Sequence, residues 1–146
     1  MIRGIQHCAL VVSDLERSRR FYGEALGLAE IPRPSSFAFA GAWFQAGTDE
    51  VHLIVEGDTT MRAGVFEHGA GLAAGLVTHL AFEVDDLDAA VGRLRGHGVE
   101  IGGGPMPRGD GVEQAFALDP DGYVVEVFQR TDDDQSGAGS RLPVRS

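Results

Sequence analysis

The chain repeats itself. Gln6-His7-Cys8-Ala9-Leu10-Val11-Val12-Ser13-Asp14-Leu15 returns as Thr78-His79-Leu80-Ala81-Phe82-Glu83-Val84-Asp85-Asp86-Leu87, an offset of 72 residues between His7 and His79. In both copies a histidine enters an apolar, strand-like run that stops at a helix-capping pair. Self-similarity at this spacing makes each copy one supersecondary unit, and neither unit is large enough to bury its apolar faces alone.

Ser13 with Glu16 has the form of a capping box, and Asp85 with Asp88 is an acidic analogue. The helices that follow carry the apolar stripes Leu15, Phe21, Tyr22, Ala25, Leu26 and Leu87, Ala90, Val91, Leu94. They end at Gly27 and Gly98, where a left-handed cap forms easily. Three further strands are expected in each copy, over 29–31, 37–45 and 51–56, then over 100–102, 112–118 and 123–129. Turn signals such as Gly47-Thr48-Asp49-Glu50 and Asp119-Pro120-Asp121-Gly122 separate them. The fold class is therefore α+β, with tandem βαβββ modules: module one over 4–56, a connector over 57–76, and module two over 77–130. Residues 1–130 make a single domain, and the modules must pair, within one chain or across a dimer. Residues 131–146, rich in Asp, Ser, Gly and Arg, are expected to form a disordered tail.

Side chains alternate across a strand, so sequence neighbours face opposite sides. Cys8, Leu10 and Val12 form a wholly apolar face, with His7 opposite; Val51, Leu53 and Val55 do the same with His52 opposite. Leu80, Phe82 and Val84 leave His79 opposite, and Val125 and Val127 flank Glu126. Each copy thus places one polar side chain on its first strand and one on its last. An imidazole or carboxylate buried among valines loses its water at a cost of several kcal/mol unless it finds a partner. Three imidazoles and one carboxylate share that cost by binding a single divalent cation. The donor set suits Zn, Ni, Fe, Mn or Co; Ca and Mg prefer oxygen shells.

Composition narrows the partners. A net charge of −10 argues against nucleic acid and against an anionic membrane. All 12 basic residues are arginine, which removes Schiff-base chemistry and the phosphate-loop lysine. The single Cys8 can form no internal disulfide and reads as a small buried hydrophobe. No membrane-length apolar run and no signal-peptide h-region is present, so the cytoplasm is the expected compartment.

These residues resemble the vicinal oxygen chelate superfamily, the group of glyoxalases, bleomycin-resistance proteins and extradiol dioxygenases. The likeness covers about residues 4–130. It rests on Ile5-Gln6-His7, on Phe21-Tyr22 leading to Leu26-Gly27-Leu28, on Val51-His52-Leu53-Ile54, on His79-Leu80-Ala81-Phe82, and on Asp119-Pro120-Asp121-Gly122 closing at Glu126. The resemblance implies that the paired modules curl into a mixed-sheet half-barrel cup around the metal. It also implies a homodimer, and a metal that grips two neighbouring oxygens of a small-molecule substrate. The family's ligands fall on His7, His52, His79 and Glu126, the set that strand parity already picks out. Glyoxalase I resembles this chain less at the second ligand, where it has a carboxylate and this chain has His52. Glutathione-using members have an arginine and an asparagine where this chain has Val11 and Glu56.

The expectation is a metal-dependent lyase or isomerase for a substrate with vicinal oxygens, other than the glutathione–methylglyoxal adduct. Glu126 is the expected general base and Glu83, on the face of His79, an alternative. The first alternative is an Fe(II)-dependent ring-cleaving or other dioxygenase using His7, His79 and Glu126, with His52 as a proton relay. The second is a non-catalytic drug-binding protein. Phe37, Phe39, Trp43 and Phe44 are read as mainly core aromatics. Gly102-Gly103-Gly104-Pro105 is read as a flexible loop, with Arg108 and His68 as substrate contacts, and His97 as a surface residue at a helix end.

Overall fold

The computed structural model describes residues 1–58, 61–64, 71–73 and 75–131. The expected tail beyond 131 and His68 lie outside the described residues. Module one runs β1 (His7–Val12), α1 (Leu15–Arg19), a π-helical continuation (Arg20–Ala25), β2 (Ala29–Ile31), β3 (Gly41–Ala46) and β4 (Asp49–Val55). Module two runs β5 (His79–Glu83), α2 (Leu87–Gly96), β6 (Ile101–Pro107), β7 (Val112–Leu118) and β8 (Val124–Arg130). Each module forms its own four-stranded sheet, ordered β1-β4-β3-β2 and β5-β8-β7-β6. In each, the first strand pairs parallel with the last, and the remaining pairings are antiparallel.

The expected β-α-β-β-β order is present in both modules, with local corrections. The helix caps sit one residue later than the capping-box reading. Asp14 accepts from the Arg17 amide at 3.0 Å, and Asp86 accepts from the Ala89 amide at 2.9 Å. Ser13 is free of the helix and instead donates its amide and hydroxyl to Asp121. Phe37 and Phe39 precede β3 and are not part of it: the Phe37 amide turns back onto the Pro34 carbonyl, and Arg33 donates to the carbonyls of Phe39 and Gly41. The Gly102–Pro105 run is strand, not loop. β6 shifts register twice across it, and Gly103 lies so close to Ala73 that an added Cβ would sit 2.7 Å from the Ala73 carbonyl oxygen.

A single buried cluster joins the modules. Leu10, Val12, Phe21, Tyr22, Phe44 and Leu53 from module one meet Leu87, Val91, Leu94, Ala115, Val125 and Val127 from module two. These are the apolar faces that alternation assigns to the helix side, and removing them from water is the main favourable term in joining the modules. Around the cluster, the Asp119–Tyr123 turn of module two clasps module one. Tyr22, fully buried, donates its hydroxyl to Asp119 Oδ2 at 2.8 Å, and the Tyr123 hydroxyl donates to the Val11 carbonyl at 2.8 Å. Asp119 Oδ1 accepts from the amides of Asp121 and Tyr123. Burial pushes the Asp119 carboxyl up despite these donors, and it pushes the Tyr22 phenol well up.

The modules pack through their helix sides; on the opposite faces His7 and His79 of the first strands are exposed, while His52, Phe116 and Glu126 on the strands beside them are buried. Along β5, His79, Ala81 and Glu83 are exposed while Leu80 and Phe82 are half-buried. Among the described residues, β1 and β5 each have a strand on one side only. No helix of the described residues is long and apolar enough to cross a membrane.

Tyr22→Phe leaves Asp119 Oδ2 buried without its donor, and urea unfolding is expected to register a loss of about 1–3 kcal/mol. The raised Asp119 carboxyl gives a second expectation. Its folded form binds a proton that the unfolded chain has already released, so wild-type stability falls as pH rises from the ordinary aspartate value through the raised one. Asp119→Asn lacks that slope, so the wild type should lose ground against it as pH rises through this window.

Candidate metal centre

The parallel strand pairs place the four predicted residues. In module one, His7 opens β1, and His52 on β4 lies opposite Ala9, two residues further along β1. In module two, His79 opens β5, and Glu126 on β8 lies opposite Ala81, again two residues further along. His52 and Glu126 therefore occupy the same register position. The third strand repeats the match: Trp43 lies opposite His52, and Phe116 lies opposite Glu126. Each half-site is a histidine, a second polar side chain and an aromatic ring, brought together by identical pairing.

In the first half-site the rings are stacked. The His52 imidazole lies 3.9 Å from Trp43 at an interplanar angle of 3°, and 4.3 Å from His7 at 13°. His52 is buried, and its Nε2 meets Glu50 Oε2 at 2.7 Å. The His7 Nδ1 meets Gln6 Oε1 at 2.5 Å. Contacts from His52, Gln6 and His7 hold the Glu50 carboxyl below its ordinary value.

In the second half-site Glu126 is only 3% exposed, an unusual depth for a carboxylate among valines. Its Oε2 faces His79 Nε2 at 2.9 Å, and its Oε1 takes a longer contact of 3.3 Å from Arg108. An imidazole nitrogen and a carboxylate oxygen facing each other at that distance require a cation between them, either a proton or a metal. The His79 Nδ1 is anchored on the Val77 carbonyl at 2.6 Å, and Phe116 packs edge-on against the ring. Arg108 also pairs with Asp110 and lies 5.4 Å above the Phe128 ring.

The structure thus brings His7 to His52 and His79 to Glu126, but it does not bring the pairs together. Among the described residues, no three of His, Cys, Asp and Glu converge closely enough to hold a metal ion. A cavity of about 710 Å³ between the modules has only His7 of the four at its wall, beside Cys8, Leu80, Phe82 and Phe128, so it is not where they meet. Glu83 stands at the far end of β5 from His79 and pairs with Arg130 at 2.9 Å, both half-exposed. Burial raises the Cys8 thiol, as expected for a packing residue. His97 is exposed at the C-cap of α2.

Sequence reasoning missed Glu50 and Gln6, and assigned Trp43 to the core. The signals were there: Glu50 is two residues before His52 and so on its face, and Trp43 has the same parity relation to Phe44 that His52 has to Val51. The residues fit a metal centre in donor chemistry, and the buried Glu126 carboxylate makes little sense as a fold stabiliser. Glu126→Leu, of similar bulk, is therefore expected to leave the thermal midpoint of metal-free protein unchanged or raised. A loss above about 2 kcal/mol would assign the carboxylate to the fold instead.

Comparison with known proteins gives concordant findings. The sequence model described as Glyoxalase/Bleomycin resistance protein/Dioxygenase superfamily matches residues 4–127. The lactoylglutathione lyase of Haemophilus influenzae is 32% identical over 138 residues, covering 93% of this chain and 98% of that protein. A glyoxalase/dioxygenase from Nostoc punctiforme superposes with a TM-score of 0.70 at 26% identity, over 89% of this chain and 92% of that one. Fosfomycin resistance protein FosX from Mesorhizobium loti shares the fold, with a TM-score of 0.65 at 22% identity, over 93% of this chain and 99% of that one.

Proposed function

The chain belongs to the Glyoxalase/Bleomycin resistance protein/Dioxygenase superfamily, and from that premise we propose that it is a metal-dependent lyase or isomerase of the glyoxalase-like type. Its substrate is a small molecule with two adjacent oxygens. The observation that carries this reading is the doubled register. His7 with His52 and His79 with Glu126 stand at equivalent places on the faces of the two sheets away from the helices, each pair including a residue of an edge strand. Two such half-sites are complete only when they face each other.

A second copy of the chain closes the site. An isologous pairing that sets β1 of one copy beside β5 of the other joins His7 and His52 to His79 and Glu126 of the partner subunit, twice per dimer. It also covers both open edges, which otherwise invite pairing with other chains. The chain then works as a homodimer with one divalent ion, Zn, Ni, Fe, Mn or Co, at each shared centre.

When bound, such an ion supplies Lewis acidity toward a carbonyl oxygen. The protein supplies the rest. Glu126 takes the proton from the carbon beside the carbonyl and returns it to the neighbouring carbon, which isomerises the substrate without net consumption of acid or base. Arg108 and His79 hold the two carboxylate oxygens in place. Trp43 and Phe116 wall the two half-sites and keep water from the reacting carbon.

The relatives named lactoylglutathione lyase support lyase-type chemistry. The substrate differs from the glutathione–methylglyoxal adduct. Val11 offers no charge, and Glu56 is already engaged as acceptor for the Ala63 amide at 3.0 Å. One observation favours a second reading. With His52 tied to Glu50, the residues His7, His79 and Glu126 make the two-histidine, one-carboxylate set of Fe(II) oxygenases, leaving His52 as a proton carrier.

Elemental analysis of tag-free protein, purified without chelators, is expected to find about one transition metal per chain, lost in His7→Ala and in Glu126→Ala. Protein that holds no metal and refuses Zn, Ni, Mn, Co and Fe(II) on reconstitution would overturn the reading. A site that accepts Fe(II) alone and consumes oxygen would promote the second one. Refolding His7→Ala together with His79→Ala should restore metal to about one quarter of the wild-type content, since half the dimers are mixed and each has one intact centre. No recovery on mixing would place the centre within one chain.

A further inference from the structure

A histidine offers a metal only the nitrogen that carries no proton, so the contact on its other nitrogen decides what it presents. His79 is the simple case. Its Nδ1 meets the Val77 carbonyl, which only accepts, so Nδ1 keeps its proton; Nε2, facing Glu126, shares a proton with that carboxylate until a metal takes the proton's place. His7, its repeat equivalent, is held the same way by a different group. The Gln6 amide oxygen accepts from Nδ1 at 2.5 Å and again leaves Nε2 to be presented.

His52 is held the other way round. Its Nε2 meets the Glu50 carboxylate at 2.7 Å, so the proton sits on Nε2 and Nδ1 is presented. The ring cannot easily turn to exchange its nitrogens. It is pressed between Trp43 and His7, and a flip would also break the Glu50 contact. Glu50 reaches His7 as well. The Gln6 side chain donates to the same carboxylate, which points the Gln6 oxygen at His7. One carboxylate thus stands behind both imidazoles of the first half-site.

The repeat shows that Glu50 has no counterpart in module two. Glu50 lies directly opposite His7 in the β1–β4 register; the residue opposite His79 in the β5–β8 register is Val124. Module two anchors its histidine on a backbone carbonyl and needs no carboxylate there. Module one puts an acid at a position that the fold fills with a valine in its other copy.

We propose that Glu50 is a positioning residue of the metal centre: it fixes the proton on Nε2 of His52 and, through Gln6, on Nδ1 of His7, so that the two rings present Nδ1 and Nε2 respectively. The proposal rests on the reading of these residues as a metal centre.

Long-range proton–nitrogen correlation spectra of metal-free, nitrogen-15 histidine-labelled protein test it. The expected result is His52 protonated at Nε2 and His7 protonated at Nδ1. Glu50→Ala should release His52 and His7 into tautomer mixtures and weaken zinc binding by about 10–100-fold. Glu50→Gln keeps an oxygen acceptor and should retain the wild-type tautomers with a smaller loss. In the Co(II)-loaded protein, the exchangeable ring proton of His52 should belong to Nε2. His52 protonated at Nδ1 in the wild type, or a Glu50→Ala variant with unchanged tautomers and zinc affinity, would overturn the proposal while leaving the metal reading intact. Expected tautomers in a protein that takes up no metal would overturn the metal reading, and this role with it.

Discussion

A parallel strand pair made twice, β1 on β4 and β5 on β8, sets the position of every residue in the candidate site. Parallel pairing fixes both register and parity. A slip of one residue in either pair would turn His52 or Glu126 into the apolar core and a valine out of it. The valines, leucines and phenylalanines of the buried cluster are therefore what hold the polar residues in place, because the hydrophobic cost of a slip is spread over the whole strand. The site is precise because the core behind it is apolar.

The same core decides which surfaces stay open. Packing the modules through their helix sides buries one face of each sheet and leaves the other for His7, His79 and their neighbours. The Asp119–Tyr123 turn clasps module one from the outside through Tyr22, Ser13 and Val11. This turn is itself one of the motifs on which the family resemblance rests, and in the fold it works as a fastener between modules. The consequence is two half-sites that do not meet among the described residues, each with a residue on an edge strand.

Departures from the internal symmetry coincide with the candidate site. Where module two has Glu126 module one has His52; where it has Val124, module one has Glu50; where it has Phe116, module one has Trp43. Core positions, by contrast, keep their character in both copies, since both solve the same packing problem. A duplicated fold with an unlike pair of half-sites can offer one centre a mixed set of donors, which a symmetric pair could not.

Much of this was legible in the residues alone. The repeat at His7 and His79 fixed the module count, and alternation around Val51, Leu53 and Val55 placed His52 on the face away from the helices. Both signals are local, because strand parity and helix periodicity depend on neighbours in sequence. What escaped was long-range or a matter of single contacts. Ser13 reads as a cap but is drawn to Asp121 across the module boundary, and Phe37 and Phe39 read as strand but are turned out by Pro34 and Arg33. Gly103 reads as loop but lets β6 pass against Ala73. Sequence determined which residues share a face; only the tertiary structure decided which faces meet. That choice depends on how two helix-covered sheets pack and on what a buried carboxylate or imidazole can reach, and neither is written in any one strand.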